Sequence, residues 1–391
     1  MRLRPGVWKR PLAVVWQWLD DRFPASQLAQ ILRANLTKPV PAHVNWSFTL
    51  GSALMALLSV QLLTGALLMI YYKPSATEAY ASVERLITDI PLGWLMRSMH
   101  SWGSHLIIIV ALLHMARVFA YGGYKRPREV TWIIGVALFA IILIFGFTGY
   151  LLPWDQVAYW GTVVATEAPA SMPVLGPAIQ QFMIGGTEVA DPTLGRFFVI
   201  HVFVLPLALL GMVSLHLFLI RYQGISPLTR TDEPEPAGGE PFYPNHTLKD
   251  LTTVYLVLGV LLTFALLLPP DLGDRANPLI TPLGIKPEWY FLPAYQLLKY
   301  VPEVVGVQAP PLLLLLLVAL PLVIDISPER HPRRRSRVMF GMMAIAALVT
   351  LLGVLGHLSE TTRTIMGSTY HFDMQGMPHA VESSTGDVVA P

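Results

Sequence analysis

The sequence predicts an all-α, polytopic membrane protein of about seven transmembrane helices, the first four forming a bundle and the last three a smaller C-terminal part. Three observations carry that prediction. Of 391 residues, 53% are hydrophobic and only 13% charged, a balance suited to lipid as the main solvent. Seven apolar runs approach the roughly 20 residues needed to cross a hydrocarbon core of about 30 Å. The basic residues, finally, gather on alternate connections between those runs.

The runs lie near residues 45–70, 96–120, 130–152, 197–221, 250–269, 309–326 and 338–357. The sixth, PPLLLLLLVALPLVIDI, is the shortest and carries Pro321. Lys and Arg collect before the first run (Arg2, Arg4, Lys9, Arg10, Arg22, Arg33, Lys38), between the second and third (Lys125, Arg126, Arg128) and between the sixth and seventh (Arg330, Arg333, Arg334, Arg335, Arg337). Those segments share one side of the membrane, which the positive-inside rule makes cytoplasmic. The expected location is the cell inner (cytoplasmic) membrane, with the N-terminus cytoplasmic and the C-terminus periplasmic. The basic, tryptophan-rich start lacks a small-residue cleavage site, so Trp8 to Leu32 reads as an amphipathic segment in the membrane interface. A net charge of +2 offers nothing to nucleic acid, and no such partner is expected. The absence of cysteine excludes disulfides, iron–sulfur ligation and thioether-attached haem.

Five segments follow. Residues 1–44 are N-terminal and interfacial; 45–225 hold four spans; 226–249, rich in Pro, Gly and Glu, form a cytoplasmic linker; 250–357 hold three spans; and 358–391 form a polar external tail, read as partly disordered. Two long outer connections, 152–195 and 270–308, are of the length that usually carries function.

The most informative pattern is in HSWGSHLIIIVALLH, residues 100–114, and HVFVLPLALLGMVSLH, residues 201–216. His100 and His114 are 14 apart, roughly 40° in facing and ~21 Å in height on a helix; His201 and His216 are 15 apart, roughly 60° and ~22 Å. Spans two and four run in the same direction, so His100 shares a level with His201 and His114 with His216. Four imidazoles in two layers can supply two iron atoms with two axial ligands each, within a four-helix bundle. A lone histidine in a membrane helix is more often polar glue between helices; two matched pairs reverse that weighting, while His105, matching nothing, keeps it. Arg97, Arg117, Arg196 and Arg221 flank the four histidines on their surface sides, where haem propionates would point, although arginines at helix ends commonly snorkel. Gly51 and Gly65, and Gly135 and Gly149, repeat the interval of 14 and would let a flat macrocycle lie against backbone, unless they serve only close helix packing.

KPEWYF, residues 286–291, places Glu288 among Pro287, Trp289 and Tyr290, a setting in which a carboxylate can take up a proton and release it towards water; a tryptophan–tyrosine pair is also what an aromatic belt looks like. GYLLPWDQVAYWGT, residues 149–162, would form the opposite wall. On the inner side, Lys249 and Asp250 stand where span five begins, near Arg221. Such a pair usually just solvates a helix end, but beside a redox cofactor it could relay protons to a quinone.

The four histidines, QLLTG beginning at Gln61, GYLLPWDQ, RFFVIHVFVLP and above all PEWY resemble cytochrome b, the di-haem quinone-reacting subunit of bc and b–f complexes, over roughly residues 20–357. The resemblance implies that His100 and His201 ligate one non-covalent haem b and His114 and His216 a second, that Gln61 lies at the cofactors, that Glu288, Tyr290 and Pro287 serve the outer quinol-oxidation site with Tyr150 and Gly161 nearby, and that the complex is a homodimer. The interval of 15, Asp155 of PWDQ and the seven spans look like the b–f arrangement, with its two usually separate chains joined. WGT and the Lys249–Asp250 pair look like the bc type. Where b–f proteins carry a cysteine for an extra covalent haem, NWSFTLGS has Thr49.

The expected function is therefore a subunit of a quinol:cytochrome c oxidoreductase that oxidises quinol outside, passes electrons through two b haems to quinone inside, and moves protons outward. A Rieske-type iron–sulfur protein and a c-type cytochrome are the expected partners. A di-haem anchor of a dehydrogenase or hydrogenase would not need PEWY or the last three spans. A proton transporter using its histidines would carry no haem b.

Overall fold

The computed structural model describes residues 9–37, 39–233, 239–282, 284–366 and 368–381. Arg2, Arg4, Trp8 and Lys38 of the N-terminal segment, residues 234–238 of the linker and 382–391 of the tail lie outside the described residues. The chain begins with two helices, α1 (Lys9–Asp20) and α2 (Ala25–Thr37). Their Val14, Trp16, Trp18, Leu28 and Ile31 side chains are exposed, as befits a segment lying on lipid. Among the described residues, seven helices are long and apolar enough to cross a membrane: α3 (Trp46–Tyr71), α5 (Gly93–Ala120), α6 (Glu129–Tyr150), α9 (Asp191–Gln223), α10 (Phe242–Leu267), α12 (Glu303–Ile324) and α13 (Pro332–Leu358). The short helices α4 (Ala79–Thr88), α7 (Gln156–Glu167), α8 (Gly176–Ile184) and α11 (Leu292–Leu298) fill the outer connections.

Each apolar run of the sequence falls on one of the seven long helices, but α9, α10, α12 and α13 start several residues earlier than the hydropathy suggests. Hydropathy marks the lipid-crossing stretch, whereas a helix also extends through polar turns outside it. Pro192 at the start of α9 is pre-set for a first turn, where its missing N–H costs nothing. In α12 the paired Pro310 and Pro311, at the head of the apolar run, lie inside the helix.

α3 packs most extensively against α5, and α10 packs against both. Ala53, Leu57, Ile107, Ile108, Leu209 and Leu261, all buried, form the centre of the bundle. α5 and α9, the two histidine-bearing helices, pack mainly against α3 and α6 respectively and make little direct contact with each other. That separation leaves the space between them to the side chains they project.

A buried ionic knot joins the two halves. Asp325, just after α12, accepts from Tyr124 Oη (2.5 Å), Lys125 Nζ (2.6 Å) and Arg335 Nη1 (2.8 Å). Arg335 also donates to the carbonyls of Phe119 and Ala120 at 2.8 and 3.0 Å, and Lys125 to that of Ser327 at 2.9 Å. Of the basic cluster before the last span, Arg335 and Arg330 are thus buried in protein rather than presented to lipid headgroups. A two-residue antiparallel pair, β1 (Pro39–Val40) with β2 (Glu240–Pro241), joins the N-terminal segment to the start of α10.

Part of the polar tail is ordered. β3 (Thr362–Ile365), β4 (Ser368–Phe372) and β5 (Pro378–Ala380) form an antiparallel meander in the order β3–β4–β5. Threonine, tyrosine and phenylalanine favour a pleated surface, and Gly376 supplies the left-handed turn between β4 and β5 with φ +82°. The meander is anchored to α11: fully buried Gln296 donates Nε2 to the Gln375 carbonyl at 2.9 Å, and Tyr300 Oη reaches the same carbonyl at 2.6 Å. Lys286, at the head of KPEWYF, donates to the His357 carbonyl at 2.9 Å.

Burial alone would raise the Asp325 carboxyl, but the hydrogen bonds from Lys125, Tyr124 and Arg335 outweigh it and hold the group below the usual carboxylate range. Its contribution to stability is therefore present at neutral pH and lost as pH falls through that depressed value. Asp325→Ala leaves two buried cations uncompensated and is expected to cost about 3–5 kcal/mol, read as a lowered thermal midpoint of the detergent-solubilised protein; an unchanged midpoint would show the knot to be energetically idle.

Candidate functional site

The four histidines stand against the four glycines. A Cβ added at Gly65 would lie 3.2 Å from His100 Cε1, at Gly149 2.6 Å from His201 Cε1, at Gly135 3.5 Å from His216 Cε1 and at Gly51 3.8 Å from His114 Cε1. α3 therefore lies against both rings of α5, and α6 against both rings of α9. The glycine interval matches the histidine interval because each glycine makes room for one ring.

His100 and His201 face each other, with ring centroids 6.3 Å apart and planes inclined at 69°. Each is oriented by a threonine one residue before its glycine. Thr64 Oγ1 lies 2.9 Å from His100 Nδ1 and donates to the Val60 carbonyl at 2.7 Å. Thr148 Oγ1 lies 3.1 Å from His201 Nδ1 and donates to the Ile144 carbonyl at 2.8 Å. A hydroxyl has one proton, and the carbonyl takes it, so each imidazole donates from Nδ1 and keeps the Nε2 lone pair free. The sequence reading passed over these threonines; the signal was the Thr–Gly pair repeated at residues 64–65 and 148–149.

In the other layer, Arg117 Nη2 is 3.4 Å from His114 Nδ1 and its guanidinium stacks 4.5 Å over the Phe48 ring. His216 Nδ1, Arg117 Nε and Gln61 Oε1 are buried with no hydrogen-bond partner. Gln61 sits against Gly103, where a Cβ would come within 2.6 Å of its Oε1. Thr49 is buried and hydrogen-bonded to Thr253 at 2.7 Å.

The unequal histidine intervals have a local cause. Between Ile200 and Val204 the helix widens, and Leu205 N–H bonds to the Ile200 carbonyl, five residues back. Pro206 follows; it has no N–H, and its ring would crowd the carbonyl four residues earlier. A widened turn absorbs one extra residue, so 15 residues in α9 span about what 14 span in α5, and the roughly 60° offset inferred from an ideal helix shrinks accordingly.

Two of the flanking arginines are held by backbone. Arg97 donates to the Pro270 and Asp271 carbonyls at 2.5 and 3.0 Å, and Arg196 to the Gln181 carbonyl at 3.1 Å. Arg221 stacks 5.9 Å from the Phe242 ring.

At one end of the bundle, the KPEWYF segment meets α6 and α5. Gly146 gives Tyr290 its place, since a Cβ there would lie 2.6 Å from the phenol oxygen, and Gly161 does the same for Tyr150, whose Cε1 would be 2.9 Å away. Burial first, then the charge of Glu288 and the neighbouring Tyr150, push the Tyr290 phenol up. Burial also raises the Glu288 carboxyl. Tyr150, Glu288 and Tyr290 thus share one low-dielectric neighbourhood, with Pro287 leading into it. Trp289 Nε1 donates to His105 Nδ1 at 3.1 Å, so His105 bonds across segments, as expected of a lone membrane histidine. Asp155 caps α7 by accepting from Ala158 N–H at 2.9 Å, and Gln156 accepts from Asn277 N–H at 2.6 Å, binding this wall to the connection that leads to KPEWYF. A cavity of about 300 Å³ between α7 and α11, lined by Val164, Glu167, Tyr295 and Lys299, lies on the same face but touches neither Glu288 nor Tyr290.

At the opposite end of the bundle, Asp250 Oδ1 accepts from Ser52 Oγ at 2.8 Å, and its Oδ2 is 3.7 Å from His246 Nε2. Lys249 Nζ is 3.5 Å from Glu240 Oε2.

Residues 35–224 match the family model described as Cytochrome b/b6/petB, and residues 275–372 match Cytochrome b(C-terminal)/b6/petD. The chain is 36% identical to the cytochrome b of Allochromatium vinosum over 348 residues, covering 82% of each chain. It is 34% identical to that of Rhodospirillum rubrum over 366 residues, covering 91% of this chain and 89% of the relative. With the cytochrome b/c1 of Bradyrhizobium diazoefficiens it shares 35% identity over 346 residues, 87% of this chain but only 50% of that longer protein. A chain of a hyperthermophilic respiratory Complex III superposes with a TM-score of 0.78 at 36% identity, covering 88% of this chain and 92% of that one. Two family models matched in succession along a chain of seven described membrane-crossing helices, with relatives at 34–36% identity over most of its length, leave one assignment: the chain belongs to the cytochrome b family, as a haem-b-binding membrane subunit of the respiratory bc type.

Proposed function

We propose that this cytochrome b oxidises quinol on its outer face and reduces quinone on its inner face, releasing protons outside and taking them up inside. The basic segments before α3, between α5 and α6, and before α13 support a cytoplasmic N-terminus and an inner-membrane location. The observation that carries the reading is the facing of His100 and His201, 6.3 Å between centroids, each with its Nδ1 tied to a threonine. That is the tautomer a metal-bound imidazole needs, with the second nitrogen held by a partner.

The residues fit two haem b groups, His100 with His201 and His114 with His216. The glycine positions keep side chains away from the rings, and the unpartnered Arg117 Nε and Gln61 Oε1 are buried polar atoms of the kind that a bound polar group satisfies. When bound, these groups would supply one-electron carriers between the two faces. Of the electrons that a quinol gives up, one leaves to a Rieske-type iron–sulfur protein, because this chain has no cysteine to hold a cluster; a c-type cytochrome then accepts it. A homodimer of the complex follows from the family.

At the outer site, Glu288 receives a quinol proton. Its raised affinity for protons, caused by burial, suits a base working near neutral pH, and Tyr150 and Tyr290 exclude water around it. At the inner site, Arg221, Lys249 and Asp250 supply charge and protons to the quinone. The di-haem anchor of a dehydrogenase leaves the Glu288 setting and its anchoring by Lys286 and α11 without a purpose.

Glu288→Gln is expected to slow quinol oxidation by about 100-fold while the haem b spectrum stays intact; unchanged turnover would remove Glu288 from the mechanism. In the unsubstituted protein the rate should fall on acidification through the raised Glu288 pKa, where the carboxyl is already protonated and no longer a base.

Gly149→Ala places a methyl group in the space of His201 Cε1 and is expected to reduce haem b from two per chain to one, measured as pyridine haemochromogen. His201→Leu should do the same. Full haem content in both would count against ligation by His201.

A further inference from the structure

His246 is a buried histidine that the proposed function leaves unused. It stands in the first turn of α10, is 8% exposed, and has a buried Nδ1 with no hydrogen-bond partner. It lines a cavity of about 120 Å³ between the β1 segment and α10, walled on the apolar side by Val40 and Val44 and on the polar side by Glu240 and Lys249. At about 30 Å³ each, several waters fit that space, whereas a substituted quinone ring with its tail does not. The other ring nitrogen, Nε2, lies 3.7 Å from Asp250 Oδ2. Asp250 is fixed by the 2.8 Å bond from Ser52 on α3, one residue from Gly51. Glu240, at the mouth of the cavity, is exposed and pairs with Lys249 at 3.5 Å.

We infer that this cavity is a proton-uptake chamber and that His246 passes protons from it to Asp250 for quinone reduction, an inference that rests on the inner-site reading above. The chemistry follows from the two ring nitrogens. Neutral His246 carries a proton on Nε2; a proton from chamber water binds Nδ1, the resulting cation draws the Asp250 carboxylate across the 3.7 Å gap to hydrogen-bond distance, and the Nε2 proton then leaves to Oδ2. Asp250 then releases its proton to a quinone oxygen, and His246 recovers its first tautomer by turning its ring or exchanging with the chamber. Two such transfers accompany the two electrons that convert one quinone to quinol, electrons which quinol oxidation at the outer site provides. The β1–β2 pair closes the chamber over α10, so the N-terminal segment, otherwise a membrane-surface element, gains a part in proton supply.

The alternative is a histidine that only fills space beside a helix start. The intact complex separates the two. His246→Ala is expected to lower quinol:cytochrome c turnover about tenfold or more, with haem b content unchanged, a larger solvent deuterium isotope effect and substantial recovery on adding imidazole. Where His246→Ala loses haem, His246→Gln replaces it, keeping the volume without the proton transfer, with the same slowing and the same isotope effect expected. Wild-type turnover in the His246 variant overturns the relay. So does a slow variant with an unchanged isotope effect and no recovery with imidazole. Asp250→Asn tells this failure from that of the inner site itself: if Asp250→Asn turns over normally, the inner-site reading falls; if it is slow while His246→Ala is fast, the site stands and only the relay is lost.

Discussion

Polar rings at lipid depth need partners, and the architecture follows from meeting that need. Water is not available to satisfy an imidazole in the hydrocarbon region, so each of the four rings is enclosed by a glycine of a neighbouring helix, and those of one layer are also tied to threonine hydroxyls. This fixes which helices are neighbours: α3 lies against α5 and α6 against α9. α5 and α9 are left apart, and the space between them belongs to the rings and whatever the rings hold. The outward faces, by contrast, carry Leu63, Ile70, Leu113, Phe218 and Phe340 towards lipid, where apolar side chains need no specific partner.

The C-terminal part depends on the bundle in two places. On one face the Asp325 knot draws α12 and α13 onto the connection between α5 and α6. On the other, the KPEWYF segment is held from both sides, by α6 through the contact of Tyr290 with Gly146, and by the end of α13 through Lys286, while α11 just after it is tied to the C-terminal meander. Glu288 is buried because of that double hold, and its proton affinity follows from its burial. The catalytic character proposed for the loop is thus a property of the tail and the bundle together.

Much of this was legible in the sequence, and the limits have physical reasons. The spans show as apolar runs because lipid selects composition directly. The histidine layers show because a helix converts spacing into direction. Thr64 and Thr148 were overlooked although local, since a threonine in a membrane helix usually bonds only to its own backbone. The Lys125–Asp325 pair, 200 residues apart in the chain, leaves no periodic trace, and neither does the contact of Gln296 with Gln375. The polar composition of the tail gave no sign of the meander within it, which is held by α11, a contact that composition alone cannot convey. His246 drew no notice beside Lys249 and Asp250, since its significance lies in a cavity closed by residues some 200 positions earlier.

The widened turn at Ile200–Val204 bears on how such proteins can change. Because the surplus residue is stored in one place, removing a single residue from that stretch would restore an ordinary helix and leave everything beyond it in register. The same removal further along would rotate the remaining helix by about 100° and turn its lower ring away from the bundle. Insertions and deletions in this helix are therefore tolerable at one address only, and relatives whose two rings differ by a residue in spacing can share one three-dimensional plan.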